Sequence, residues 1–136
     1  MDVEAARKFV AANHHAILST RRRDGTPQMS PVVVAVDPQG RLAISSRETA
    51  VKVRNLRRDP AYDLVVFTNN FFGPWLALRG SVEVIALPGA LPRLVQYYRD
   101  VSGEHPNWGE YEAAMVAEQR VLLQLEITEV GPKVSG

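Results

Sequence analysis

The chain has 136 residues, 46% hydrophobic, 23% charged and 7% aromatic, the size and composition of one globular domain over 1–136. It has no cysteine, which excludes a disulfide framework, a thiolate nucleophile, a cysteine-ligated zinc and an iron–sulfur cluster. The net charge of +1 conceals an asymmetry: residues 1–60 hold eleven Lys/Arg against six Asp/Glu, and residues 61–136 hold five against nine. A basic first half suits an anionic ligand, while so small a net charge argues against nucleic-acid binding.

Asp2 reads as the N-cap of a helix over 3–13, with Val3, Ala6, Phe9 and Val10 at helical spacing. A strand over 15–21 has Ala16-Ile17-Leu18 at its centre, and Asp24-Gly25 marks a hairpin. The Val-rich run 27–36 predicts a second strand buried on both faces. Asp37-Pro38-Gln39-Gly40 is a turn, and 41–46 a third strand. Over 49–59 the strand alternation stops, and Val51, Val53 and Leu56 lie among Lys52, Arg54, Asn55, Arg57 and Arg58. That predicts a short basic helix, capped by Thr49 and ended before Pro60.

A fourth strand over 62–68, a loop over 69–74 and a long fifth strand over 75–87 follow, with Gly80 marking a bulge or bend. Helices over 88–101 and 110–118 flank a loop, and alternating Val121, Leu123, Leu125 and Ile127 predict a last strand over 120–130. Hairpin-linked strands with helices among the later ones indicate a mainly β protein, an antiparallel barrel with peripheral helices. The longest apolar run, 31–36, is far short of the ~20 residues of a membrane helix. The N-terminus has no basic-then-apolar leader, so the expectation is a cytoplasmic protein with no membrane partner.

The residues offer little acid–base machinery. There is no Gly-x-Ser-x-Gly, no Gly-x-Gly-x-x-Gly and no Walker loop. His14-His15 reads as a helix-end feature, Glu110 and Glu112 as solvated carboxylates, and three histidines in all make a metal site a poor expectation. Trp75 is a candidate ring wall beside a loop, and Trp108 is expected to pack a helix onto the barrel. The segment 45–60 is the most informative. Ser45 and Ser46 sit at a strand end, and a helix N-terminus follows with Lys52 in its first turn and Asn55 one turn on. Free N–H groups and a partial positive charge suit phosphate there. A capped surface helix with a solvated basic face gives the same pattern.

Asp24-Gly25-Thr26-Pro27-Gln28-Met29-Ser30-Pro31-Val32, followed by Thr49-x-x-Lys52-x-x-Asn55-Leu56-x-x-Asp59-Pro60, resembles the pyridoxamine 5′-phosphate oxidase-like split β-barrel superfamily. The later run Tyr98-Arg99-Asp100-Val101-Ser102-Gly103-Glu104-His105-Pro106-Asn107-Trp108, with Tyr111, Ala114-Met115-Val116 and Arg120-Val121-Leu122-Leu123, is similar to the actinobacterial branch that uses the deazaflavin coenzyme F420. The resemblance implies a split-barrel homodimer with a cofactor groove between subunits. It maps phosphate contact onto Lys52, with Thr49 and Asn55 on the same helix motif. It maps the backing of the ring onto Gln28, Ser30, Pro31 and Val32, strand hydroxyls onto Ser45 and Ser46, and a nearby aromatic onto Trp75.

The function so implied is hydride transfer from reduced F420 to a planar conjugated small molecule. The cofactor carries the reaction, so the chain need supply no nucleophile and no metal. A proton would come from water or a hydroxyl such as Tyr62. The surplus of Arg54, Arg57 and Arg58 favours F420, whose tail is polyanionic, over FMN. An FMN-binding oxidoreductase of the same fold and a non-catalytic F420 or small-molecule binder are the other readings. A Val-rich barrel of this size is expected to leave an apolar face that a second copy covers.

Overall fold

The structure is a computed structural model that describes residues 2–132. Helix α1 (Val3–Ala12) begins where the Asp2 carboxylate accepts the Ala5 N–H at 2.8 Å, as the cap pattern predicts. The strands are β1 (His15–Arg21), β2 (Pro27–Val33), β3 (Ala35–Val36), β4 (Leu42–Arg47), β5 (Ala61–Phe67), β6 (Trp75–Ile85) and β7 (Arg120–Gly131). Helix α2 (Val51–Arg58) joins β4 to β5, and α3 (Ala90–Ser102) and α4 (Trp108–Ala117) lie between β6 and β7.

All strand pairs are antiparallel, in the order β2-β1-β5-β6-β7-β4-β3. The outermost strands, β2 and β3, are consecutive in the chain, so the sheet must curl until its two ends meet. Val34 makes that junction. Its N–H donates to the His14 carbonyl at 2.8 Å, its own carbonyl is 2.8 Å from His14 Nδ1, and its side chain is fully buried. The run expected as one strand is therefore two, broken at Val34. Nor is it buried on both faces: β2 is an edge strand, and Met29 is 63% exposed.

Alternation along the strands sorts side chains into two cores. Leu18, Ile44, Leu64, Leu76, Leu123 and their neighbours fill the barrel, with Ala6 and Val10 of α1 and Val53 and Leu56 of α2 packed among them. On the opposite face of β4 and β7, Ala43 and Leu122 pack against Ala90 and Leu94 of α3 and Met115 of α4. The β6–β7 ladder slips one residue between Arg79 and Gly80, the expected bulge. Gly80 is required there because a Cβ would run into the Glu126 carbonyl.

The two hairpin turns form as predicted. Gly25 and Gly40 take φ of 86° and 81°, a region glycine adopts without steric cost. The other boundaries move. The helix expected from 88 begins at Ala90, the one expected from 110 begins at Trp108 behind the Asn107 cap, and Thr49 does not cap α2. The α2 N-cap is Ala50, with no side-chain bond. Among the described residues no helix is long and apolar enough to cross a membrane.

Candidate functional site: a groove with a cationic pole

Helices α3 and α4 cover the β4–β7 part of the outer face and reach β3 and the end of β6. Where they stop, a groove of about 600 Å³ opens between them and the β1–β2 edge. Ile17, Pro31, Val32 and Val33 form one wall, and Tyr97, Tyr98, Tyr111 and Met115 the other. Ser45, Lys52 and Arg120 line its end and also line an adjoining polar cleft of about 450 Å³ with Ser46, Arg47, Thr49 and Ala50. The two cavities are thus one continuous surface, apolar at one end and cationic at the other.

The pole has a cation surplus. Glu118 accepts from Arg47 at 3.2 Å and from Arg120 at 3.0 Å, and these bonds hold its carboxyl below the usual carboxylate range. Among the described residues Lys52 has no such carboxylate. Its Nζ donates to Ser30 Oγ at 3.0 Å, while burial and then the Arg120 charge hold its pKa below the ordinary lysine value. Beside it lies the α2 N-terminus without a side-chain cap. An anion placed here would relieve the Lys52–Arg120 repulsion and accept from free N–H groups, so the donor set fits a phosphate.

The expected site residues separate into two groups. Ser45, Pro31, Val32 and Lys52 line the groove, Ser46 and Thr49 line the cleft, and Ser30 holds Lys52. Gln28 and Asn55 are elsewhere. Asn55 is 4% exposed; its Nδ2 donates to Thr20 Oγ1 at 3.1 Å and its Oδ1 accepts from Arg58 at 3.1 Å. Thr20 in turn donates to Gln28 Oε1 at 3.2 Å. This polar chain ties α2 to β1 and β2 inside the barrel, and neither residue lines the groove.

Trp75 lies beyond the other end, in a small hollow with Phe71, Phe72 and Phe67, and Phe67 alone of these lines the main groove as well. Trp108 does not pack onto the barrel as expected. It closes a four-ring cluster with Tyr98, His105 and Tyr111, its Nε1 donates to Glu104 at 3.0 Å, and Arg99 sits 4.7 Å over its ring. Tyr62 is corrected too: it is 1% exposed, donates to the Glu126 carbonyl at 3.0 Å, and burial pushes its pKa far up, so it supplies no proton to the groove.

Sequence reasoning missed Arg120, Tyr97, Phe67 and His15 as groove residues. Arg120 lies 68 positions after Lys52 and becomes its neighbour through the β4–β7 pairing, in which it faces Arg47. The one local signal is a basic residue directly before the apolar run Val121-Leu122-Leu123.

An antiparallel split barrel with outer helices and a groove ending in a cationic pole defines the class: a pyridoxamine 5′-phosphate oxidase-like split-barrel protein. Residues 3–133 match the family model described as pyridoxamine 5′-phosphate oxidase, and the chain belongs to that family. A conserved hypothetical protein from Mycobacterium tuberculosis shares the fold at 20% identity and a TM-score of 0.78, covering 100% of this chain and 92% of that one. An F420 reductase matches at 23% identity and a TM-score of 0.70, over 92% and 94% of the two chains. The heme storage protein of Vibrio cholerae matches at 15% identity and a TM-score of 0.70, over 96% and 94%.

Proposed function

We propose that the chain is an oxidoreductase that binds coenzyme F420 and transfers a hydride to a planar conjugated small molecule. The observation that carries the reading is the continuity of an apolar groove with the Lys52–Arg120 pole. Bound, the reduced deazaflavin would supply the hydride. Lys52, Arg120, Ser45 and the α2 N-terminus would hold its phosphate. The Ile17–Pro31–Val33 wall would back a flat ring and exclude water from one face.

The same fold occurs in an F420 reductase, which is in keeping with this cofactor. The arginines favour F420 less than their number in the sequence suggests. Arg57 is paired with Glu48 at 2.7 Å, and Arg58 donates to the Arg21 carbonyl and to Asn55, so Arg54 is the exposed member of the three without such a bond among the described residues. Fluorescence titration with each cofactor decides. Micromolar binding of F420 supports the reading, and micromolar FMN binding with none for F420 replaces it with the FMN oxidoreductase. F420 binding without turnover of any quinone, enone or tetrapyrrole acceptor makes the protein a binder.

The same reading includes a homodimer. One part of the outer face, around β1, β2, β5 and the first half of β6, is lined by strand residues alone. It carries a second depression of about 600 Å³ lined by Ile17, Met29, Val65 and Ala77. Its rim alternates in sign, with Arg79 bonded to Asp63 at 2.6 Å and 3.6 Å from Glu129. Ile17 lines this depression and the groove alike, so a second copy seated on the face would border the site.

A further inference from the structure

Reduction of a conjugated acceptor needs a proton as well as a hydride, and the groove contains several O–H and N–H groups that could deliver it. The chain has four tyrosines. Tyr62 is sealed in the barrel. Tyr97 lines the groove, but its hydroxyl donates to the Val33 carbonyl at 2.7 Å, and burial raises its pKa to about 12. Tyr111 donates to the Leu94 carbonyl at 2.9 Å, and burial raises its pKa too. Each of these three protons is already committed to a backbone oxygen. Tyr98 differs: among the described residues its hydroxyl makes no hydrogen bond.

Its ring is nevertheless fixed. The centroids of His105 and Tyr111 lie 5.0 Å away and that of Trp108 5.7 Å away, so three neighbours hold it from the α4 side while it lines the groove. The remaining candidates are less suited: Ser45 and Arg120 lie at the anion pole, where Arg120 is engaged by Glu118. His15 lines the groove but is exposed and lacks any such ring packing, and Lys52 is engaged by Ser30 at the anion pole.

We propose that Tyr98 is the proton donor of the reduction, a role that rests on reading the groove as a hydride-transfer site. The acceptor gains a hydride with its electron pair at one end of the conjugated unit. At the other end it forms a new O–H or C–H bond to the Tyr98 proton. The Tyr98 oxygen keeps the electron pair of the broken O–H bond as phenolate and is reprotonated by water at the open groove mouth. The acceptor is reduced by two electrons, the cofactor is oxidised by two, and solvent supplies the net proton.

The test compares wild type, Tyr98→Phe and His15→Gln, each loaded with reduced F420 and offered quinone and enone acceptors. Thermal melting and F420 fluorescence titration are measured alongside. Tyr98→Phe should melt with wild type and bind F420 within about twofold. Its kcat should fall about 100-fold or more, the range of a lost general acid, with KM little changed. Turnover of Tyr98→Phe within threefold of wild type overturns the assignment, as does loss of turnover in His15→Gln alone. A lowered melting temperature together with weakened F420 binding in Tyr98→Phe makes the residue structural and also overturns it. Wild type that fails to bind F420, or binds it and reduces no acceptor, defeats the underlying reading and the proposal together. That outcome is separate from a defect confined to the variant.

Discussion

Lys52 Nζ lies 3.0 Å from Ser30 Oγ, a bond that ties the first turn of α2 to the middle of the edge strand β2. It holds a half-buried ammonium at the groove end, with no carboxylate among the described residues to neutralise it. Lys52→Ala should therefore weaken F420 binding by about 1.5–3 kcal/mol, the range for a hydrogen bond to a charged group, while thermal melting stays near wild type. A solvated surface lysine would change binding by less than about 0.5 kcal/mol. Fluorescence titration of the variant separates the two.

The same ammonium sets a pH dependence. Burial and Arg120 lower the Lys52 pKa from 10.5, and a bound phosphate would raise it again. F420 affinity is expected to fall as pH rises through the lowered value, with protons taken up on binding above it. Stability of the free protein runs the other way. Between the lowered value and 10.5 the unfolded chain holds this proton more fully, so the group makes stability rise with pH. Titrations in two buffers of different ionisation enthalpy detect the uptake, and pH-independent affinity with no uptake would contradict it.

Asn55 should behave as part of the barrel. Asn55→Ala leaves the Thr20 hydroxyl and the Arg58 guanidinium each short of a partner, and is expected to cost about 1–3 kcal/mol in urea unfolding. F420 affinity of the folded variant should stay within twofold. A large loss of affinity with unchanged stability would return Asn55 to the cofactor site.

Gly80 tests the bulge. Gly80→Ala sets a methyl against the Glu126 carbonyl, and neither backbone can yield without breaking the β6–β7 ladder. A loss of more than about 2 kcal/mol is expected, in the upper part of the range for single substitutions. A variant as stable as wild type would mean the ladder relaxes there at little cost.

The uncovered sheet face is tested by charge. Met29→Lys with Val65→Lys should give the monomer mass by light scattering where wild type gives twice that value. A monomeric wild type would remove the second copy from the site. The Phe71–Phe72 loop is a separate question, since Phe72 is 93% exposed and packs edge-on to Phe71 at 5.2 Å. Phe71→Ala with Phe72→Ala should leave F420 affinity and mass unchanged while kcat/KM falls for some acceptors only. Loss of the dimer in that variant would assign the loop to the interface.

Most of the elements and their kind were legible in the chain's own residues, the split of 27–36 into β2 and β3 being the exception. Asp2, Gly25 and Gly40 impose a cap and two turns through local geometry, Gly80 marks a bulge whose cause is the β7 backbone opposite it, and the spacing of Val53 and Leu56 or of Val121, Leu123 and Leu125 shows which face is apolar. The sequence also singled out Lys52 and Ser45, which line one groove. Tertiary structure alone decided which polar residues share a space. Gln28 and Asn55 carry the same chemistry as Ser30 and Lys52 and share a strand face and a helix side with them, but Gln28 lies opposite Thr20 in the β1–β2 register and Asn55 reaches the same hydroxyl, so both are held at Thr20 rather than in the groove. Arg120 reaches the site only because β4 pairs with β7, and Tyr62 leaves it because its strand face is the core. Val34 ends the second strand early because curling the sheet brings its two edges together there. Local residue preferences act over a few positions and can be read in order along the chain. A groove is formed by strand register and closure between segments tens of residues apart, and only the packing of the whole core sets these.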